Sequence, residues 1–250
     1  MSDAAFWWLL GFAVVATSVV SGVVGMAGGM LLLSIMLLRL EPVVAIPIHA
    51  AIQLVSNASR AWFQRKHVAW RPVLLFALPL LPASFLGVYV LRVLPEAVAL
   101  IAVAAFVIGS LWFPSLFGVL TKPRGDGSRG LLLGGALVGL LSPVLGATGP
   151  LLAPFVLALE LGPQATIGTL AACQIFQHSS KLLAFGTTGF DFAAYAVPVA
   201  CLSLAAVLGS AIGARALDRV DARTFKVAVR WVLTLLALKL GVDGAVGLLP

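Results

Sequence analysis

Apolar residues run along this chain in long stretches separated by short polar breaks. The stretches cover roughly residues 4–24, 29–40, 43–63, 72–92 and 95–119, then 130–146, 150–161, 164–185, 192–214 and 224–248. A helix needs about 20 apolar residues to cross a bilayer, so the pattern predicts an all-α polytopic membrane protein with eight to ten hydrophobic segments. Pro42, Pro72, Pro95 and Pro163 stand at segment starts, where the missing N–H would be unpaired anyway. Two stretches are too short to span. Residues 29–40 and 150–161 would each cover roughly 18 Å of a ~30 Å hydrocarbon core. Each follows a glycine-rich break, "GMAGG" at 25–29 and "GATGP" at 146–150. Glycine supplies the backbone freedom a tight turn needs. Each short stretch and the one before it are therefore expected to form a hairpin that dips into the membrane and returns, with the glycines at its tip.

The order of elements repeats. Shifted by 121 residues, the chain overlays itself without a gap across 25–59. Gly25 meets Gly146, Gly28 meets Gly149, Pro42 meets Pro163, Gln53 meets Gln174 and Ser59 meets Ser180, while Arg60 meets Lys181. After one inserted residue, Gly87 meets Gly209. Shared leucine and alanine carry little weight in apolar sequence; paired Gly, Pro and Gln carry more. The chain reads as one transmembrane domain of two repeats, 1–120 and 131–250, joined by a polar linker at 121–130, an organisation common among transporters.

Charge sets the expected orientation. Arg60, Arg65, Lys66 and Arg71 occur in 60–71 without an acid; the linker carries Lys122, Arg124 and Arg129 against Asp126; and 215–230 carries five basic residues against Asp218 and Asp221. Basic loops face the cytoplasm. All three do so only if each half makes a hairpin plus three spans. That odd number of crossings inverts one repeat relative to the other and places both termini outside. Composition fits this frame: 61% of the 250 residues are hydrophobic and 10% charged, against roughly 25% charged in a soluble domain. The net charge of +7 then reads as topology and not as a nucleic-acid surface. Trp7 and Trp8 suit an interfacial belt, and the start lacks the basic region of a cleaved signal peptide. Cys173 and Cys201, without CxxC spacing, read as small buried hydrophobes.

Candidate chemistry gathers at two places. The first is the hairpin tips. Irregular backbone inside a bilayer is tolerated when it is packed in protein or lines a cavity. The short arms begin at the tips, so the free N–H groups near Ala27, Gly28, Gly29 and Met30, and near Thr148, Gly149 and Leu151, would carry partial positive charge and favour an anion. Helix packing by small residues is the plainer alternative for these glycines. The second place is the polar face of the following segments: His49, Gln53 and Asn57 in the first half, and Gln174, Gln177, His178 and Lys181 in the second, spaced to share a helix face. Polar groups at membrane depth usually face the bundle interior or a water-filled path. Lys181 and Arg60 could instead snorkel at segment ends, and a histidine could be a hydrogen-bonded core residue. No acid stands clearly at membrane depth, since Glu41, Glu96 and Glu160 lie at segment ends, so neither a carboxylate proton relay nor a Na⁺ site is evident.

The duplicated "GMAGG"/"GATGP" element, followed about 13 residues on by proline and then by a helix bearing glutamine and serine, resembles the TauE/SafE sulfite exporter family of bacterial inner-membrane permeases. The second copy carries Pro150 where that family usually has glycine. The resemblance covers most of the chain. It implies a multi-pass transporter of sulfite, a sulfonate or another sulfur-containing anion. The helix-terminus argument reaches "anion" independently, and on it the site works by backbone dipoles with no Lys or Arg required beside the ligand. The residues expected to bind substrate are Gly25, Ala27, Gly28, Gly29, His49, Gln53, Asn57, Gly146, Thr148, Gly149, Gln174, His178 and Lys181. A channel-like anion or metabolite pore with the same site is the alternative. A membrane enzyme is disfavoured because HExxH and GxSxG are absent, and no GxxxxGK[ST] provides for ATP. The expected partners are a small anionic substrate and the lipid bilayer, with no nucleic acid, no cofactor and no metal, the chain acting as monomer or homodimer.

Overall fold

The computed structural model describes residues 3–24, 27–119, 128–216 and 222–249. Among these there are helices and connecting turns but no strand. The first half contains α1 (Asp3–Val24), α2 (Ala27–Met36), α3 (Pro42–Phe63), α4 (Trp70–Val93), α5 (Glu96–Trp112) and α6 (Pro114–Val119). The second contains α7 (Ser128–Leu145), α8 (Gly149–Leu157), α9 (Pro163–Thr187), a 3₁₀ turn at Ala193–Tyr195, α10 (Ala196–Ala216) and α11 (Ala222–Val246). Three helical stretches among the described residues are long and apolar enough to cross a membrane: Pro42–Phe63, Trp70–Val93 and Ala193–Gly213. Several shorter apolar helices accompany them. The arms after the glycine breaks are shorter than the apolar pattern suggests, 10 residues in α2 and 9 in α8.

Two boundaries depart from expectation. The stretch 95–119 is two helices, because Phe113 precedes Pro114 and a residue before proline is pushed out of the α region. Helix α7 starts at Ser128, inside the segment expected to be a polar linker; residues 120–127 and Gly25 lie outside the described residues. Cys173 is buried as expected, but Cys201 is exposed, because it sits on the outward face of α10.

The halves interlock by exchanging partners. Helix α4 packs against α7, and its counterpart α10 packs against α1, the counterpart of α7. Both pairs run parallel. A Cβ at Gly135 or Gly139 would strike the Phe76 or Leu80 carbonyl, and one at Gly209 or Gly213 would strike that of Val15 or Val19. Gly87 and Gly209, equivalent under the internal shift, both lie on partner backbone, the first at Leu140 and the second at Val15. Small residues let helices approach this closely where lipid gives no hydrophobic drive to associate.

Two further pairs join a helix to its own counterpart. Helix α5 lies on α11 with Ala97 beside Gly247, Ala104 beside Gly241, and Trp112 donating from Nε1 to Thr234 Oγ1 at 3.0 Å. Helix α3 lies on α9 with His49 near His178 at one end and Gln64 against Gly168 at the other. Just beyond, the Ala69 N–H donates to Thr169 Oγ1 at 3.0 Å. Both self-pairs are therefore antiparallel. The α3–α9 pair forms the centre of the molecule, and there the core stops being apolar.

Candidate functional site

Between α3 and α9, polar side chains are buried almost completely. His49, Gln53, Ser56, Asn57, Gln174, Gln177, His178 and Lys181 are all 8% exposed or less. The two short helices begin beside them. Helix α7 ends at Leu145, and Gly146 takes φ +71°, the left-handed conformation that lets glycine close a helix. Its N–H donates to Ser142 O at 2.8 Å. The chain then turns, and α8 starts with Thr148 at its N-cap and Pro150 in its first turn, where proline is pre-set for helix.

One cavity opens at this junction. Ser21, Gly29, His49, Gln53 and Arg60 wall it from the first half, and Ala147, Thr148, Gly149, Gln174, Gln177 and His178 from the second. It encloses about 20 Å³, room for roughly one water. Among the described residues, no carboxylate lines it. Its donors and acceptors are braced from behind. Gln177 Nε2 donates to Thr148 Oγ1 at 2.9 Å and to Ser142 Oγ at 3.2 Å. Asn57 Nδ2 donates to Gln53 O at 2.8 Å, and its Oδ1 accepts from Arg60 Nη2 at 2.8 Å. His49 Nε2 lies 2.9 Å from Gly29 O and 3.4 Å from Gln53 Nε2. A carbonyl only accepts, so the Nε2 proton points at Gly29. Four buried polar atoms of the wall have no partner: His49 Nδ1, His178 Nδ1, Gln177 Oε1 and Arg60 Nε. Such groups normally find one, so the cavity offers unmet hydrogen-bonding capacity.

Of the thirteen residues singled out in the sequence, the fold brings seven to the cavity wall: Gly29, His49, Gln53, Thr148, Gly149, Gln174 and His178. Five take other places. Gly28 is pressed against α1, the packing role considered for these glycines, and Ala27 packs on the apolar core. Asn57 holds Gln53 and Arg60. Gly146 and Lys181 hold each other, with Lys181 Nζ donating to Gly146 O at 2.6 Å. Lys181 has no exposed surface, so it does not snorkel. Gly25 is outside the described residues. The wall also includes Ser21, Arg60, Ala147 and Gln177. Arg60 brings a guanidinium to a cavity wall for which no Lys or Arg was expected to be needed. Its signal was its pairing with Lys181 under the 121-residue shift. Ser21 had no such signal.

Gln53 and Gln174 are the one polar pair identical in both repeats that also reaches the wall. Gln53→Leu or Gln174→Leu is expected to weaken anion binding by about 1–3 kcal/mol, the value of a buried hydrogen bond to a charged group. Titration calorimetry of the purified variants, alongside a melting curve, checks this; unchanged affinity in a folded variant would make both glutamines structural.

The described helices thus form an apolar bundle with a small polar chamber at its centre, walled by residues from both halves of the chain. The chain belongs to the TauE/SafE sulfite exporter family, whose model matches residues 9–240. Neither a comparison with curated proteins nor one with solved structures gives a match. The family is one of membrane transporters, and the apolar helices accord with a multi-pass membrane protein.

Proposed function

We propose that this chain is a secondary transporter of the bacterial inner membrane that moves a small sulfur-containing oxyanion or organosulfonate, such as sulfite, by alternating access around the central cavity. The observation that carries the reading is the cavity wall: amide donors, Arg60 and the first turns of two short helices converge there, with no carboxylate to oppose an anion. Helix N-termini supply partial positive charge and suit oxyanions. The water-sized constriction favours a carrier over an open pore, because a path this narrow must change shape to pass an oxyanion.

The pairing of helices supports inverted repeats. A two-fold axis that relates α3 to α9, and α5 to α11, must lie perpendicular to them, because each pair runs antiparallel. With those helices crossing the bilayer, the axis lies in the membrane plane. The hairpin reading fits the same scheme. The end of α5 lies against the start of α11, with the Arg230 guanidinium over Trp112, so the helices flanking the two later basic segments meet at one side, as cytoplasmic loops require. Both termini are then periplasmic. A reporter fused after Pro250 is expected to be active only when it folds outside the cytoplasm; activity of a cytoplasmic reporter there would contradict the inverted arrangement.

Counterflow tests the transport reading. In proteoliposomes loaded with unlabelled sulfite, external ³⁵S-sulfite is expected to enter transiently above its equilibrium level, saturably, and beyond the leak of protein-free vesicles. Uptake that rises linearly with concentration and ignores internal sulfite would indicate a pore, and uptake equal to protein-free vesicles would reject transport of this anion.

A further inference from the structure

The cavity contains two imidazoles that anion binding alone does not explain. His49 on α3 and His178 on α9 are 1% and 3% exposed, and their ring centroids are 6.1 Å apart. Because the Nε2 proton of His49 is directed at the Gly29 carbonyl, its Nδ1 is a bare lone pair in the neutral ring. That Nδ1 is buried without a partner, and so is the Nδ1 of His178. Building on the transport reading above, we infer that His49 and His178 bind the proton that travels with the anion, so that the carrier is an anion–proton symporter.

The argument rests on which charges face the pair. The cations within electrostatic reach are Lys181 on α9 and Arg60 on α3. The elements packed on α3 and α9 bring no acid to the wall: α2 contributes Gly29 and α8 contributes Gly149. Helix α10 meets α3 through Ser210 and Ser56. Arg71 and Arg92 of α4 and Arg129 of α7 are exposed. A proton arriving alone would make a buried imidazolium next to two cations, with no carboxylate to hold it. An anion in the cavity reverses that balance, since a nearby opposite charge favours the charged form of a titratable group. Linkage makes the effect reciprocal: the proton raises anion affinity by the same factor. Proton and anion therefore occupy the cavity together or not at all. A carboxylate relay would not behave so, because it could carry a proton without the anion. The proton is taken up at a histidine Nδ1 on one face of the membrane and released from it with the anion on the other, so no charge or atom is left behind.

The test uses the full-length protein in liposomes with a pH-sensitive dye inside. The probes are thiosulfate and methanesulfonate, which hold no proton near neutral pH, with sulfite counterflow run in parallel. Influx of either probe is expected to acidify the lumen by about one proton per anion. His49→Gln is expected to lower the flux severalfold and to abolish the proton movement of what remains, with the same outcome for His178→Gln. If a probe enters without protons, the inference fails while the transport reading stands. If sulfite exchanges but neither probe enters, no anion that needs a histidine to bring its proton is carried, and the inference also fails. If no anion exchanges, both readings fall together. Should either variant not fold, the wild-type proton-to-anion ratio decides alone.

Discussion

Gly28→Val is expected to eliminate both folded protein and transport. Gly28 lies in the first turn of α2, and a Cβ there would overlap the Thr17 carbonyl and the Ser21 hydroxyl of α1. Backbone cannot swing aside as a flexible side chain can, so α2 must lift away from α1. Overpacking of a close contact costs about 1–3 kcal/mol and sometimes more. The displacement here falls on the start of α2, whose next residue, Gly29, is on the cavity wall. Gly29→Ala is the control: its Cβ would meet the amide end of Gln53 at 2.8 Å, and that end can rotate. It should fold and transport more slowly. Size-exclusion profiles of detergent-solubilised protein, read beside sulfite uptake, separate the two cases. A monodisperse Gly28→Val protein with wild-type uptake would show that α2 tolerates separation from α1.

Arg60→Gln is expected to weaken sulfite binding roughly a hundredfold, about 3 kcal/mol. Arg60 brings the one cationic side chain to the cavity wall. Two unit charges 4 Å apart interact by about 4 kcal/mol at an effective dielectric of 20, and hydrogen bonds to charged groups are worth about 1.5–3 kcal/mol. Glutamine retains a donor and can still reach Asn57, so the change removes charge more than shape. Lys181→Gln should have a smaller effect, because Lys181 is engaged with the Gly146 carbonyl in the turn between α7 and α8 and shapes that turn from behind. Calorimetry on both variants at one ionic strength checks the ranking. Equal losses would place both cations at the ligand, and no loss in folded Arg60→Gln would take the guanidinium out of binding.

Much of the architecture could be read in advance because it rests on periodic or repeated features. Segment length marked α2 and α8 as too short to span. The shift of 121 residues, with one residue inserted, aligned Gly87 with Gly209, and both lie on partner backbone. Spacing of four put His49 and Gln53 on one face, and they line one cavity. What stayed hidden depends on a neighbour that local sequence does not encode. The partner of Lys181 is the Gly146 carbonyl just past the end of α7, which no side-chain pattern announces. Gly28 and Gly29 are adjacent, yet one abuts α1 and the other faces Gln53; rotation of α2 about its axis decides between them, and packing sets that rotation. Arg60 looked like a segment-end cation because hydrophobicity alone cannot tell a side chain reaching toward lipid headgroups from one turned inward by Asn57.

The central claim is that this chamber opens alternately to the two faces of the membrane, and access to Thr148 tests it most directly. Thr148 is fully buried on the cavity wall. With Cys173 and Cys201 replaced by alanine, a Thr148→Cys protein in oriented vesicles can be treated with a membrane-impermeant thiol reagent from each side in turn. The account predicts labelling from either face, slowed by sulfite in both cases. Labelling from one face only, or at a rate indifferent to sulfite, would contradict it.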